Sequence, residues 1–305
     1  MKVRIKFQKY GAMKFIGHLD IMRYFQKAFR RANIDSEYTK GFTPHQIMSF
    51  AAPLGVGLTS DSEYVDLQLY TSDTPEIMLE RMNTVQTEGI RIIGFHALKE
   101  REEHQKAVTA MSLVSAADYL VSLKDGYCIS CSIHTQEEFK KAFDLFASSQ
   151  EIIIDKKTKT SEKAVDIKPM IRLVAFEEKD YKEKKRQILQ GVSAENSLEQ
   201  NKQENATEVS ESSEENKQEG ANDLSIITEE NIWNSVADVY ESGIKVYLQL
   251  DTGSSINLKP ELAIEAFYDS LGIPFEKFAW QVHRLEIYTK VEERGKLAEL
   301  DQVER

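Results

Sequence analysis

Three groups of residues in this 305-residue chain have types and spacings that could support chemistry. The first is His18-Leu19-Asp20 with Arg23, joined by His45 from the run Gly41-Phe42-Thr43-Pro44-His45. Imidazole changes charge near neutral pH, so His18 or His45, with Asp20 as a candidate partner, could act as a general acid or base. The plainer role of His18 and Asp20 is to satisfy and neutralise the start of a helix. The second group is Cys128-Ile129-Ser130-Cys131 with His134. Thiols and imidazole bind zinc, but a closed structural site needs four ligands and only three stand together here. Positions three apart on a strand point to opposite faces, so two buried cysteines without metal or redox work are expected. The third group is cationic. Lys2, Arg4 and Lys6 alternate along one segment, and Arg23, Lys27, Arg30 and Arg31 recur at helical spacing. With Tyr64 and Tyr70 on a neighbouring strand, the alternating set would make a platform on which RNA bases can stack. Solvated charge, or one lobe packing on the other, is the alternative. No phosphate-binding glycine loop or nucleophile elbow occurs, and Gly55-Val56-Gly57 reads as a turn.

The elements that must position these groups follow from periodicity. Residues 2–8 alternate apolar and polar, as a strand with one buried face does. A helix from about His18 to Ala32 follows from Leu19, Met22, Phe25, Phe29 and Ala32 at spacings of three and four. Gly41 can take positive φ, and Pro44 forces Thr43 to be extended, so a shaped loop precedes the next strand. Strands are expected over Gln46–Leu54 and Glu63–Tyr70, a helix opened by Pro75, and a strand over Arg91–Leu98. That order, β-α-β-β-α-β, is the split βαβ of ferredoxin-like folds. It recurs downstream. Strands at Asp118–Lys124, Met170–Phe176, Ile244–Leu250 and Val282–Tyr288 accompany helices at Thr135–Ser148 and after Pro260-Glu261. Phe139-Lys140-Lys141-Ala142-Phe143 echoes Phe25-Gln26-Lys27-Ala28-Phe29. The fold class is α+β, with tandem ferredoxin-like lobes and antiparallel sheets over residues 1–100 and 116–290, then a charged tail at 291–305.

The net charge of −11 hides two unlike regions. Residues 191–230 alone carry eleven acidic residues against Lys202 and Lys217, and residues 1–48 carry a net +7. Only local charge decides which partner a surface attracts. The segment from about 183 to 231, rich in Glu, Gln, Asn and Ser, buries too little to offset its ordering entropy and is expected to be a disordered insert. Two cysteines in a chain this long fit a reducing compartment. No apolar run long enough for a membrane helix or signal segment is present, so a cytoplasmic protein without a membrane partner is expected.

One stretch resembles a known family. Phe7-Gln8-Lys9-Tyr10-Gly11, Lys14-Phe15-Ile16-Gly17-His18-Leu19-Asp20, Arg30-Arg31-Ala32, Gly41-Phe42-Thr43-Pro44-His45 and Pro53-Leu54-Gly55-Val56-Gly57 are similar to the radical-SAM-linked bacterial domain of unknown function. The resemblance implies a partner, a cobalamin-binding radical SAM protein, and no reaction. A radical SAM cluster needs three close cysteines and the chain has Cys128 and Cys131, so no cofactor is expected in this chain. Two functions remain to be separated. One is a non-catalytic accessory module that presents RNA or another macromolecule to a separate radical SAM enzyme. The other is a metal-independent RNA-processing enzyme using His18 or His45.

Overall fold

The computed structural model describes residues 1–99, 109–157, 162–190, 235–253, 256–291 and 297–302. The first half runs β1 (Lys2–Lys9), α1 (His18–Arg31), β2 (Met48–Phe50), β3 (Thr59–Gln68), α2 (Pro75–Asn83) and β4 (Ile90–Leu98). The second begins with the short α3 (Ala110–Leu113) and continues through β5 (Val114–Leu123) and α4 (Gln136–Ala147). A hairpin of β6 (Ile153–Lys157) and β7 (Glu162–Asp166) precedes β8 (Ile171–Ala175), α5 (Glu178–Gln190), β9 (Lys245–Asp251) and α6 (Pro260–Ser270). The chain then forms β10 (Trp280–Lys290) and β11 (Leu297–Glu299).

Local signals explain the helix starts. Pro75 and Pro260 each occupy the first turn, where a missing N–H loses nothing. Thr135 and Glu138 close a reciprocal capping box on α4. On α1, Asp20 lies in the first turn and Arg30 and Arg31 in the last, both favourable to the helix dipole. Its buried stripe is Ile21, Phe25, Ala28 and Phe29. Leu19, expected on that stripe, is instead 61% exposed, because the face set by Ile21 and Phe25 turns the first-turn leucine away from the sheet.

Nine strands make one mostly antiparallel sheet in the order β4-β1-β3-β10-β5-β9-β8, with β2 paired to β3 and β11 to β10. Within the first half the neighbours run β4-β1-β3-β2, and within the second β10-β5-β9-β8. The two halves do not keep separate sheets, which corrects the expectation of two. β3 is ten residues long, and its two ends find different partners. Val65–Leu67 pairs with the three-residue β2, while Thr59 and Ser60 pair in parallel with His283 and Arg284 of β10. β2 is shorter than the expected Gln46–Leu54. Gln46 bridges Tyr38 instead, and Ile47 sits at the changeover, its amide donating to the Glu37 carbonyl while its own carbonyl accepts from Gln68 of β3.

One sheet face carries two apolar cores. Phe25 and Phe29 of α1 and Met78 and Met82 of α2 lie with Val3, Ile5, Phe7, Val65 and Leu67. Phe139, Phe143 and Phe146 of α4 and Phe267 of α6 lie with Val121, Val246 and Leu248. An ion pair joins the cores: Arg284 Nη1 donates to Glu63 Oε1 at 2.8 Å, with the guanidinium 5.7 Å from the Tyr119 ring centroid.

The other face is covered too. Tyr181 and Ile188 of α5 pack on Leu173, Tyr247 and Leu120, and Leu297 of β11 packs on Tyr288 and Ala116. Two sequence expectations are corrected here. Residues 183–190, assigned to the disordered insert, are the last turns of α5, ordered by that packing. The rest of the expected insert, 191–231, lies outside the described residues. The described part of the charged tail is not a free end, since β11 is paired with β10 and Leu300 is buried.

Candidate functional site

The expected platform on β1 is not open to solvent. Arg4 is 1% exposed: its Nε donates to Asp66 Oδ1 at 2.8 Å, and its Nη1 donates to the Leu300 carbonyl at 2.7 Å. Lys6 Nζ donates to Glu286 Oε2 at 2.8 Å and to Asp301 Oδ2 at 3.0 Å. Lys2, only partly exposed, pairs with Asp66 at 3.1 Å. Tyr64 is buried and donates its hydroxyl to Glu286 Oε1 at 2.6 Å. Of this set Tyr70 alone stands at the surface, 62% exposed. A strand's alternation predicted that these cations share a face. The return of the C-terminal segment over that face was not visible in the pattern, and it turns a platform into a core of ion pairs.

The cations of α1 behave otherwise. Arg23, Lys27, Arg30 and Arg31 are all exposed. Arg23 meets Asp20 at 3.0 Å on the surface, Arg30 donates to the Gln26 carbonyl, and Arg31 donates to the Val85 carbonyl.

The histidine candidates are not brought together. His18 is half-buried, its ring edge-on to Phe50 at 5.1 Å, beside a small cavity of about 20 Å³ shared with Lys9, Glu63 and Leu54. Burial first, and the Lys9 charge second, hold its pKa below the ordinary histidine value. Asp20 faces Arg23 rather than His18. His45 sits in the exposed loop with Gly41, Phe42 and Pro44, its Nδ1 3.1 Å from Thr39 Oγ1. Gly41 has the positive φ expected of it, +124°. Among the described residues no hydrogen bond joins His18, Asp20 and His45.

Cys128 and Cys131 are free and exposed, which corrects the expectation that they are buried. They lie in a turn-rich connection closed by a Ser130–Ile133 bridge, where Ile129 and Ile133 take the inward positions. His134 places Nε2 2.9 Å from the Cys131 carbonyl oxygen.

One concave feature was missed by sequence reasoning. A cleft of about 650 Å³ opens on the sheet face opposite α1 and α4, between α5 and the segment 235–240. Its floor is polar. Asp61 accepts the Val236 amide on Oδ1 at 2.8 Å and the Ser235 hydroxyl on Oδ2 at 2.6 Å, with His283 Nε2 3.1 Å from Oδ2. His283 Nδ1 lies 2.8 Å from Thr59 Oγ1. Burial pushes the Asp61 carboxyl up, but His283, Ser235 and the Val236 amide together outweigh it and hold the carboxyl below its usual range. Beside it Glu286 accepts from Lys6, Tyr64 and Ser62. Burial dominates there, and Glu286 stands above the ordinary carboxylate value. Asp118 lies behind α5 and accepts from Tyr181, Tyr288 and Gln249. One sequence signal could have pointed here: five consecutive polar residues, Thr59 to Glu63, open a strand at the centre of the molecule. The arrangement of Asp61, His283 and Ser235 is not a nucleophile triad, because Asp61 and Ser235 share Nε2 and the serine proton points to the carboxylate. It can accept hydrogen bonds and exchange a proton with a bound molecule.

No helix among the described residues is long and apolar enough to cross a membrane. Residues 2–208 match a family described as an uncharacterized protein conserved in bacteria (DUF2344), and the chain belongs to that family. No curated protein matches the chain.

Proposed function

We propose that this member of the uncharacterized bacterial family is a recognition protein, which binds an anionic macromolecule, RNA foremost, and presents it to a separate enzyme. The observation that carries the reading is the exposed cationic face of α1: Arg23, Lys27, Arg30 and Arg31 all reach solvent, with Asp20 beside them. Such a row can neutralise successive phosphates, and the binding it gives weakens steeply with salt. The resemblance of the N-terminal motifs to radical-SAM-linked proteins supplies the partner, a cobalamin-binding radical SAM protein, in the cytoplasm. The matching strand order of the halves, β4-β1-β3-β2 and β10-β5-β9-β8, supports reading each as a ferredoxin-like lobe. The test is an electrophoretic mobility shift with cellular RNA at two salt concentrations. Salt-sensitive binding that disappears when Arg23, Lys27, Arg30 and Arg31 are changed to Glu is expected; equal shifts by both proteins remove the RNA part.

A second reading, metal-independent RNA processing, draws on one observation: the half-buried His18 beside Lys9 and Glu63, with its pKa lowered, is neutral and able to take a proton. RNA cleaved by the wild type and left intact by the His18→Ala, His45→Ala double variant would favour this enzyme over the recognition protein.

A further inference from the structure

The cleft has a built chemical character that the recognition surface on α1 does not use. Its lining holds Asp61, Glu178, Asp238, Glu286 and Glu299 against Lys6, Lys182, Lys185 and Lys245, with the carboxylates of Asp118 and Asp301 just behind. The carboxylates outnumber the cations, and the protein's own groups register the resulting field. Lys185 stands above its ordinary value although burial opposes this, because Glu299, Asp118 and Glu286 outweigh the loss of solvent. Tyr181 is driven upward by burial and then by Asp118. Solvent is partly excluded from the cleft wall, which strengthens such fields, so a cation is favoured there over an anion.

Most of these carboxylates already have a permanent cation. Glu286 meets Lys6 at 2.8 Å, Glu299 meets Lys185 at 3.0 Å, Glu178 meets Lys182 at 2.7 Å, and Asp238 meets Lys14 at 2.9 Å. Asp61 differs. Among the described residues it pairs with no Lys or Arg and is held by a histidine, a hydroxyl and an amide. Its side chain is 11% exposed at the cleft wall. Across the sheet from it the cleft offers apolar surface: Leu285 of β10 and Leu120 of β5, and beyond them Tyr247 of β9 stacked on Tyr181 at 4.9 Å. A volume of about 650 Å³ lies within the range of pockets that hold small organic ligands.

We propose that this cleft binds a small organic primary amine with an apolar or aromatic body, its ammonium group seated on Asp61 in place of the Ser235 hydroxyl and its body against Leu285 and Leu120. Lys245 on the cleft lining opposes a second positive charge, so the ligand is a monoamine rather than a polyamine. Asp61 is the anchor, and His283 with Thr59 behind it is the group that positions Asp61.

Isothermal titration calorimetry on the full chain tests this, with phenethylamine as the probe, phenethyl alcohol as its uncharged counterpart and 3-phenylpropionate as the anion. Saturable amine binding is expected, with at least about tenfold weaker binding of the alcohol and none of the acid. Asp61→Asn lowers amine affinity by about tenfold or more. Ser235 lies at the surface end of the cluster, so Ser235→Lys should fold normally while placing a built-in ammonium beside Asp61. It abolishes amine binding with an unchanged thermal unfolding midpoint. Absence of saturable amine binding, equal affinity for amine and alcohol, or undiminished binding by a folded Ser235→Lys protein overturns the proposal.

Discussion

Lys2, Arg4 and Lys6 on β1 and Arg23, Lys27, Arg30 and Arg31 on α1 are neighbours in sequence and equally cationic, yet they occupy opposite environments. Arg4 and Lys6 are 1% and 8% exposed and lie within ion pairs, whereas all four α1 cations reach solvent. The difference comes from the elements that carry them. A helix that buries one stripe against a sheet necessarily turns its opposite stripe to water. A strand's second face is exposed only if nothing returns to cover it, and here β11, Leu300 and Asp301 return. Charge on a helix is therefore a better guide to a binding surface than charge on an inner strand.

Several substitutions would break or sharpen this contrast. The largest effect is expected for Arg4→Met, which leaves Asp66 buried without its bidentate partner and the Leu300 carbonyl without a donor. A loss of about 3–5 kcal/mol in urea unfolding is expected. Changing Asp66 to Leu in the same protein should restore part of it, because an apolar pair replaces a buried carboxylate left with the part-exposed Lys2 as its cation. A loss below about 1 kcal/mol would place Arg4 with the surface cations instead.

Lys6→Met comes next, at about 3 kcal/mol at neutral pH, since it strips Glu286 of its cation. The pH dependence has a definite sign. Glu286 is raised, chiefly by burial, so the folded protein holds its proton more tightly than the unfolded chain. Stability from this group is present below the ordinary glutamate value of about 4.3 and is lost as pH rises through the raised folded value. Removing Lys6 raises that value further, so the penalty of Lys6→Met should shrink as the solution is acidified from pH 7 toward 5. Urea midpoints of both proteins across that range check it.

Changing the four α1 cations to Glu is expected to cost a moderate amount, about 0.5–1 kcal/mol each at Arg30 and Arg31 where a carboxylate opposes the helix dipole and less at Arg23 and Lys27, while RNA binding weakens by tenfold or more in filter-binding titrations. The smallest effect belongs to Arg23→Ala. Its exposed pair with Asp20 is worth less than about 0.5 kcal/mol, and the thermal midpoint should move by a degree or two at most.

Much of the architecture was legible from local pattern. The alternation of residues 2–8, the apolar stripe of α1 and the prolines opening α2 and α6 each depend on neighbours a few residues away, and each appears where expected. The hairpin β6–β7 and the helix α5 were not read, the first because its strands are short and polar. The second runs directly into the acidic segment, and its dense run of charged residues holds few apolar ones. The expected site residues were legible as motifs and not as a site: His18 and His45 stand apart, and the cysteines lie outward.

The sequence by itself determined most of the elements, their order and the division of charge between an N-terminal basic region and an acidic segment, because periodicity and turn chemistry are short-range. Only the tertiary structure decided that the halves share one sheet, that the β1 cations are buried, and that a cleft forms over Asp61 and His283. Those outcomes rest on contacts between residues far apart in the chain, such as Thr59 with His283 at a separation of 224, and no local spacing encodes which distant strand will arrive beside another.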